Sequence, residues 1–193
     1  KVAFFIYYFI YILELLDKNK MSEGYIRPLF YYGYHDLNVN PTECPVMLAV
    51  ACWPWGQYLA HDCVDVMTSK YTRIHPKSTI VDAKLCGHYL NSQLASLELE
   101  GTKYHEVLLL DADGFVAEGA GENIFIVKDK QLYTPKLGNI LAGITRNAVI
   151  DMARHFGYSV EEKTLRLNDI YTADESFFTG TAAEVTAIRS LDD

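Results

Sequence analysis

Cysteine is scarce in this chain, and what there is carries no metal signature. The four cysteines, at 44, 52, 63 and 86, form no Cys-x-x-Cys pair. No histidine cluster accompanies them at zinc-finger spacing, so no metal site is expected. Reduced, mostly buried thiols in a reducing compartment, the cytoplasm, are the expectation. Basic residues are also in deficit, with 17 Lys and Arg against 25 Asp and Glu, a net charge of −8. They form no stripe, which disfavours a nucleic-acid partner and leaves the acid excess to aid solubility. Long apolar runs are nearly absent. The one exception, Val2 to Leu13, is too short and too rich in Tyr to span a membrane, which takes ~20 apolar residues. It also lacks the small-residue cleavage site of a secretory signal. A buried helix or strand is therefore expected there, and an opening Lys1 without Met fits a fragment. Internal repeats and low-complexity tracts are missing too.

What is present is a globular composition. Half of the 193 residues are hydrophobic and 13% are aromatic, enough to bury the core of one large domain or two small ones. Ile10 to Leu16 reads as the end of a helix, closed by the polar stretch 17–24. Two β-rich segments follow, YIRPLFYYG (25–33) and PVMLAVACW (45–53). PWGQYLAHD (54–62) carries turn residues and predicts a connection at 57–64 between an N-terminal domain (1–56) and a C-terminal domain (65–193). Apolar residues at 85, 86, 89, 90, 94 and 97 predict a helix over 85–99. HEVLLLDADGFVAEG (105–119) and NIFIVKDKQLYTP (123–135) each read as strand, turn, strand. A second helix places Ile144, Ala148, Val149, Met152, Ala153 and Phe156 on one face and stops at Gly157. Mixed strands and helices of this kind predict an α/β or α+β fold.

Four segments carry candidate chemistry. In LAGITRNAVIDMARHFG (141–157), Gly143 and Thr145 open a helix whose free N–H groups suit a phosphate. Taken alone, an ordinary Thr N-cap is the simpler account. FFTGTAAEV (177–185) offers hydroxyls and unhindered N–H groups after a strand, or a plain turn. EGAGEN (118–123) aims Glu118 from a strand end into a cleft, or is a solvated glycine-rich loop. Lys84 follows the β-prone stretch STIVDA (78–83) at the mouth of a helix. A desolvated lysine there becomes a nucleophile, although most lysines are solvated surface groups.

In order and combination, DAKLCGHYLNSQLAS, EGAGENIF, the GITR helix and TGTAAE resemble the class IV aminotransferases, enzymes of fold type IV that use pyridoxal 5′-phosphate (PLP). Within them, YIRPL, PWGQYL and EGAGENIF are similar to branched-chain aminotransferases. The resemblance runs from about residue 10 to the end. It implies a D-amino-acid-aminotransferase-like fold, with part of a small N-terminal domain and most of a larger C-terminal one. It implies transamination between Leu, Ile or Val and 2-oxoglutarate, in a cytoplasmic homodimer or higher homo-oligomer without membrane contact. By the same resemblance, Lys84 is the lysine that forms a Schiff base with PLP and then shuttles a proton. Glu118 meets the pyridine nitrogen, Tyr89 the 3′-oxygen, and Leu141 the ring face. Ile144, Thr145 and Thr181 meet the phosphate. Arg27 and Tyr58 line the substrate pocket, and Ala182 lies where N–H groups meet the α-carboxylate.

The family's chains are longer, so this one is expected to be incomplete at both ends and to lack an arginine that grips the phosphate. GTAAEVTAI (180–188) lacks the redox Cys-x-x-Cys of eukaryotic members and looks bacterial in type. A D-amino-acid aminotransferase or an aminodeoxychorismate lyase shares the scaffold, but YIRPL and EGAGENIF speak against both. A non-catalytic remnant of the fold is the remaining alternative.

Overall fold

The computed structural model describes residues 2–56, 59 and 62–193, with side chains from residue 8 onward. The chain divides into two compact units, Lys1–Gly56 and Gln57–Asp193.

The first unit is a helix and a hairpin. Helix α1 (Val2–Lys18) is followed by strands β1 (Tyr25–Tyr32) and β2 (Val46–Trp53), which pair antiparallel from Tyr25↔Trp53 to Tyr32↔Val46. Tyr25, Trp53 and Trp55 cluster at one end of the hairpin, with ring centroids 4.2–5.3 Å apart. The apolar run at the start takes the helical one of the two forms expected, and its described side chains, from residue 8 on, are mostly not buried. Ile12 is the one buried side chain described, whereas Phe9 and Leu13 are 60% and 65% exposed. A two-stranded sheet can cover only one side of a helix that is apolar all round.

The second unit is built on one eight-stranded sheet. In chain order its elements are β3 (Cys63–Thr72), a 3-10 turn (Cys86–Tyr89), α2 (Leu90–Leu97), β4 (Glu106–Leu110), β5 (Val116–Gly119), β6 (Asn123–Lys128) and β7 (Gln131–Pro135). These are followed by α3 (Ile144–His155), β8 (Val160–Lys163), α4 (Leu167–Tyr171), β9 (Glu175–Gly180) and β10 (Glu184–Leu191). The strand order is β5-β4-β3-β10-β9-β6-β7-β8. The β3–β4, β3–β10 and β7–β8 pairs are parallel, and the others are antiparallel.

This order makes the sheet curl. β5 and β6 are five strand spacings apart along it, which a flat sheet would stretch to about 24 Å. Residues 120–122 alone connect them, and that length of chain reaches at most about 14 Å. The curl encloses Val64, Val66, Leu108, Val116, Ile124, Ile126, Leu165 and Phe178 in one core. On the outer face, Val107 and Leu109 pack with Ala95 of α2. Period-two alternation along β4 sends Leu108 one way and its neighbours the other. Each such side chain stabilises the fold by roughly 1.5–3 kcal/mol through its burial.

Both short hairpins follow the sequence. Asp129 and Lys130, with φ of 52° and 63°, form the two-residue turn whose twist suits β6 and β7. Asp111 accepts N–H bonds from Asp113 and Phe115 at 3.0 and 2.9 Å, which closes the turn between β4 and β5.

Several expectations are corrected. STIVDA is a run of turns, tied by Ser78 N–H to His75 O and Ala83 N–H to Ile80 O, and pairs with no strand. The helix expected over 85–99 is a 3-10 turn followed by an α-helix that ends at Leu97. Its apolar stripe faces out: Leu85, Leu90 and Leu97 are exposed while Ser92 and Ala95 are buried. These small residues let α2 approach the sheet closely. On α3 the buried residues are Arg146 and Ile150, whereas Ile144, Met152 and Phe156 are exposed. The cysteines are not buried either; Cys44, Cys52 and Cys63 are half-buried and Cys86 is exposed.

Candidate active site

A cleft of about 400 Å³, open to solvent, lies in the second unit where β3, β5, β6 and the 3-10 turn converge. Its lining includes Lys84, Tyr89, Glu118 and Leu141, which the sequence singled out, together with Arg73, His88, Glu122 and Asn123, to which it had assigned no role.

Lys84 stands just before the 3-10 turn, and this turn brings Tyr89 back beside it. The Lys84 ammonium donates to the Tyr89 hydroxyl at 2.8 Å and lies 5.4 Å from the ring centroid. No carboxylate bonds to Lys84 among the described residues; its partner is a neutral phenol.

Glu118 lies in β5, one residue before its end, and is 7% exposed. Arg73, at the end of β3 and equally buried, donates its Nε–H to Oε1. Oε2 accepts from Asn123 Nδ2 at 3.0 Å and from the Leu141 N–H at 3.1 Å. Burial pushes the Glu118 carboxyl above its ordinary value, and the Arg73 charge, the Arg73 hydrogen bond and the Leu141 N–H oppose that rise. All three partners are donors, and a carboxylate, which only accepts, satisfies them all. The site is thus arranged around an anion.

Asn123 ties the floor together, because its Nδ2 also donates to Leu141 O at 3.0 Å. A Cβ on Gly143 would fall 2.2 Å from Asn123 Oδ1, which is why the chain needs glycine where it enters α3. Gly143 caps α3 without a side-chain bond, leaving the first-turn N–H groups without an intrahelical acceptor. Three buried polar atoms here lack partners: Arg73 Nη1, His88 Nδ1 and Thr179 Oγ1. Thr179 is the register partner of Asn123, so it faces the same side of the sheet.

Ile144 and Thr145 open α3, with Ile144 82% exposed. Thr181 and Ala182 occupy the turn between β9 and β10 and do not line the cleft. Arg27 lies on β1 of the first unit, with its guanidinium carbon 5.2 Å from the Tyr25 ring centroid. Tyr58 falls outside the described residues. The overlooked members had faint signals. Arg73 is a charge where a strand ends, Asn123 a polar residue opening the apolar run NIFIV, and Glu106 a carboxylate opening VLLL.

Glu106 of β4 and the cleft-lining Glu122 are two further buried carboxyls. Burial pushes Glu106 up to about 7, and burial together with repulsion from Glu106 pushes Glu122 up to about 8.

The sequence pattern of the family described as Amino-transferase class IV matches residues 11–191. This chain belongs to the class IV aminotransferases. Among curated relatives of this class IV chain, the Pseudomonas aeruginosa branched-chain-amino-acid aminotransferase is 41% identical over 179 residues, 91% of the chain and 58% of the relative. The Thermoproteus uzoniensis branched-chain aminotransferase, solved with norvaline, is 39% identical with a TM-score of 0.90, covering 94% of the chain and 62% of that structure. The Thermobaculum terrenum branched-chain amino acid aminotransferase, solved in its PLP form, is 34% identical with a TM-score of 0.86, covering 94% of the chain and 60% of that structure. The class IV chain thus spans about 60% of the length of the relatives it matches.

Proposed function

We propose that this chain carries the cofactor-holding part of a branched-chain amino acid aminotransferase. The reaction moves the amino group of Leu, Ile or Val to 2-oxoglutarate, giving a branched 2-oxo acid and glutamate. The observation that carries this reading is the meeting, in one cleft, of an amine, a phenol and a donor-wrapped buried carboxylate from separate parts of the chain. The names and fit of the relatives support it.

The donor set suits PLP. The molecule presents an aldehyde, a phenolic oxygen, a ring nitrogen and a phosphate; the cleft offers a counterpart to the first three, and the start of α3 one for the phosphate. When bound, it supplies an electrophilic carbon and a ring that withdraws negative charge from the substrate's Cα. Lys84 provides the amine for that carbon, and its Nζ takes and returns the proton at the substrate's Cα. The Tyr89 hydroxyl, 2.8 Å from Lys84 Nζ, orients the amine and meets the 3′-oxygen. Glu118, kept anionic by Arg73, Asn123 and Leu141, holds a proton on the ring nitrogen. Leu141 presents an apolar edge to the ring face. Ile144 and Thr145 at the start of α3, with Thr181, hold the phosphate by N–H and hydroxyl groups. Arg27, Tyr58 and Ala182 receive the substrate's side chain and carboxylate.

A homodimer in the cytoplasm is the proposed setting. No helix among the described residues is long and apolar enough to cross a membrane, and none of their acidic, His and Cys side chains cluster as a metal site.

The test supplies PLP, 2-oxoglutarate and one amino acid at a time, and measures glutamate. Activity with L-leucine, L-isoleucine and L-valine is expected. Activity with D-alanine and none with L-leucine would overturn the reading.

A further inference from the structure

His88 lines the cleft beside Lys84 and Tyr89 but has no part in the chemistry above. It is 8% exposed and is the buried residue of its 3-10 turn. Ser92 and Ala95 are the buried residues of the α2 helix that follows directly. Positions 88, 92 and 95 share one helical face, so His88 begins the stripe that α2 turns toward the sheet. Its imidazole is anchored at one atom. Thr79 Oγ1 and His88 Nε2 share a hydrogen bond at 2.6 Å, and Nδ1 is buried without a partner among the described residues.

Thr79 belongs to the stretch that delivers Lys84. From 73 to 85 the chain forms neither strand nor helix. Its backbone bonds are local: Ser78 N–H to His75 O at 2.8 Å, Ala83 N–H to Ile80 O at 3.0 Å, and Leu85 N–H to Ala83 O at 2.9 Å. Such turns give the stretch its shape without fixing where it sits. Packing adds one anchor, Val81, whereas Ile80 and Leu85 are 68% and 49% exposed. The Arg73 guanidinium donates to Val81 O only at 3.5 Å, the far limit of a hydrogen bond. The short Thr79–His88 bond is what fastens the stretch to the turn carrying Tyr89. It closes a loop of chain in which Lys84 is the middle residue and donates to the Tyr89 hydroxyl at 2.8 Å.

We infer that His88 is a positioning residue which, through its bond to Thr79, holds the Lys84 amine against the Tyr89 hydroxyl. This deepens the proposed reaction and rests on it, because it takes Lys84 to be the amine that bonds the cofactor. Lys84 is itself exposed, so burial does not fix its long stem, and the direction of Nζ depends on where the backbone at 84 is held. The other groups assigned to the cofactor, Glu118 and Leu141, are bonded to each other and to Asn123 across the cleft. They keep their places whether or not the Lys84 stretch moves. Losing the clamp therefore changes the distance between the amine and the carbon it must reach, and a shift of about 1 Å at a reacting group can cost roughly a hundredfold in rate.

Two measurements test this. Without cofactor, hydrogen exchange read by mass spectrometry follows the backbone over 79–89. Thr79→Val keeps the side chain's shape and removes its hydroxyl. It is expected to speed exchange there roughly fivefold, the weight of one hydrogen bond, and to leave the peptide of β6 and β7 unchanged. Thr79→Ser is expected to restore the slower exchange. With cofactor, borohydride added at timed intervals after PLP measures how fast Lys84 bonds it. That rate is expected to fall roughly fivefold or more in Thr79→Val and to recover in Thr79→Ser. Pyridoxamine 5′-phosphate has no aldehyde for the amine to attack, so its affinity, measured by calorimetry, is expected to change by less than about twofold. Unchanged exchange overturns the clamp. Faster exchange with an unchanged rate at Lys84, or an equal loss for both ligands, overturns the positioning role. His88→Phe, which keeps a ring and loses the nitrogen, is expected to act as Thr79→Val does and decides the matter if that variant does not fold. A chain that bonds no PLP at Lys84 in any form fails the proposed reaction, while the exchange measurement still decides the clamp.

Discussion

Replacing Arg73 with Met is the perturbation whose consequence follows most directly from the structure. Arg73 and Glu118 are each 7% exposed and bonded to one another. Without the guanidinium, Glu118 keeps two neutral donors, Asn123 and Leu141, and remains out of water. Breaking a buried pair from one side costs about 3–5 kcal/mol, because the surviving charge is left uncompensated. The sign with pH is fixed. Burial already raises the Glu118 proton affinity, and losing Arg73 raises it further. The variant's folded state therefore holds a proton that its unfolded state has released, and it loses stability as pH rises through the new folded value. The deficit is largest in base and shrinks in acid, where Glu118 is neutral in both states. Adding Glu118→Leu removes the stranded charge and should recover most of the loss. Urea unfolding followed by circular dichroism, at several pH values, measures all of this. A loss below about 1 kcal/mol at about pH 8, or a double variant no more stable than Arg73→Met, would refute the reasoning.

Other outcomes follow from the same geometry. Because Glu106 and Glu122 are raised to about 7 and about 8, the stability they contribute is complete below the ordinary glutamate range. It is lost as pH climbs through those values, at up to roughly 1.4 kcal/mol per pH unit for each carboxyl. Glu122→Gln should flatten that slope in urea titrations, and an unchanged slope would contradict it. Arg146 is 1% exposed and donates to Pro135 O at 2.9 Å and to Glu162 at 2.7 Å. Arg146→Ala leaves a cavity and an unmet carbonyl, and should destabilise by roughly 3 kcal/mol or more in the same assay. Gly143→Ala pushes Asn123 off Glu118 and Leu141 and should lower the unfolding midpoint by an amount worth about 1–3 kcal/mol. Gly87→Ala, whose new Cβ meets nothing within 4 Å, is the neutral control.

Local features of the fold were legible in the sequence, and long-range ones were not. The β4–β5 and β6–β7 hairpins could be read because a turn fixes its own strands, as Asp111, Asp129 and Lys130 do. The helix over 144–155 could be read from its period and from Gly157, which stops it at φ +84°. Which face it buries could not, because buried Arg146 reaches Glu162 and Pro135 on other elements, partners that the helix's own period does not reveal. Lys84, Tyr89, Glu118 and Leu141, which line one cleft, were singled out by their motifs. Arg73 was not, since the carboxylate it serves lies 45 residues further along the chain. STIVDA had the composition of a strand but found no partner, and a strand without a neighbour has nowhere to place its backbone bonds.

The central claim is that the amine of Lys84 is the group that bonds to the cofactor. The measurement is reduction with borohydride after loading the chain with PLP, followed by proteolysis and mass spectrometry. One phosphopyridoxyl adduct is expected, on the peptide carrying Lys84, and none on a chain with Lys84→Ala. An adduct on another lysine, or one scattered over several surface lysines, would contradict it.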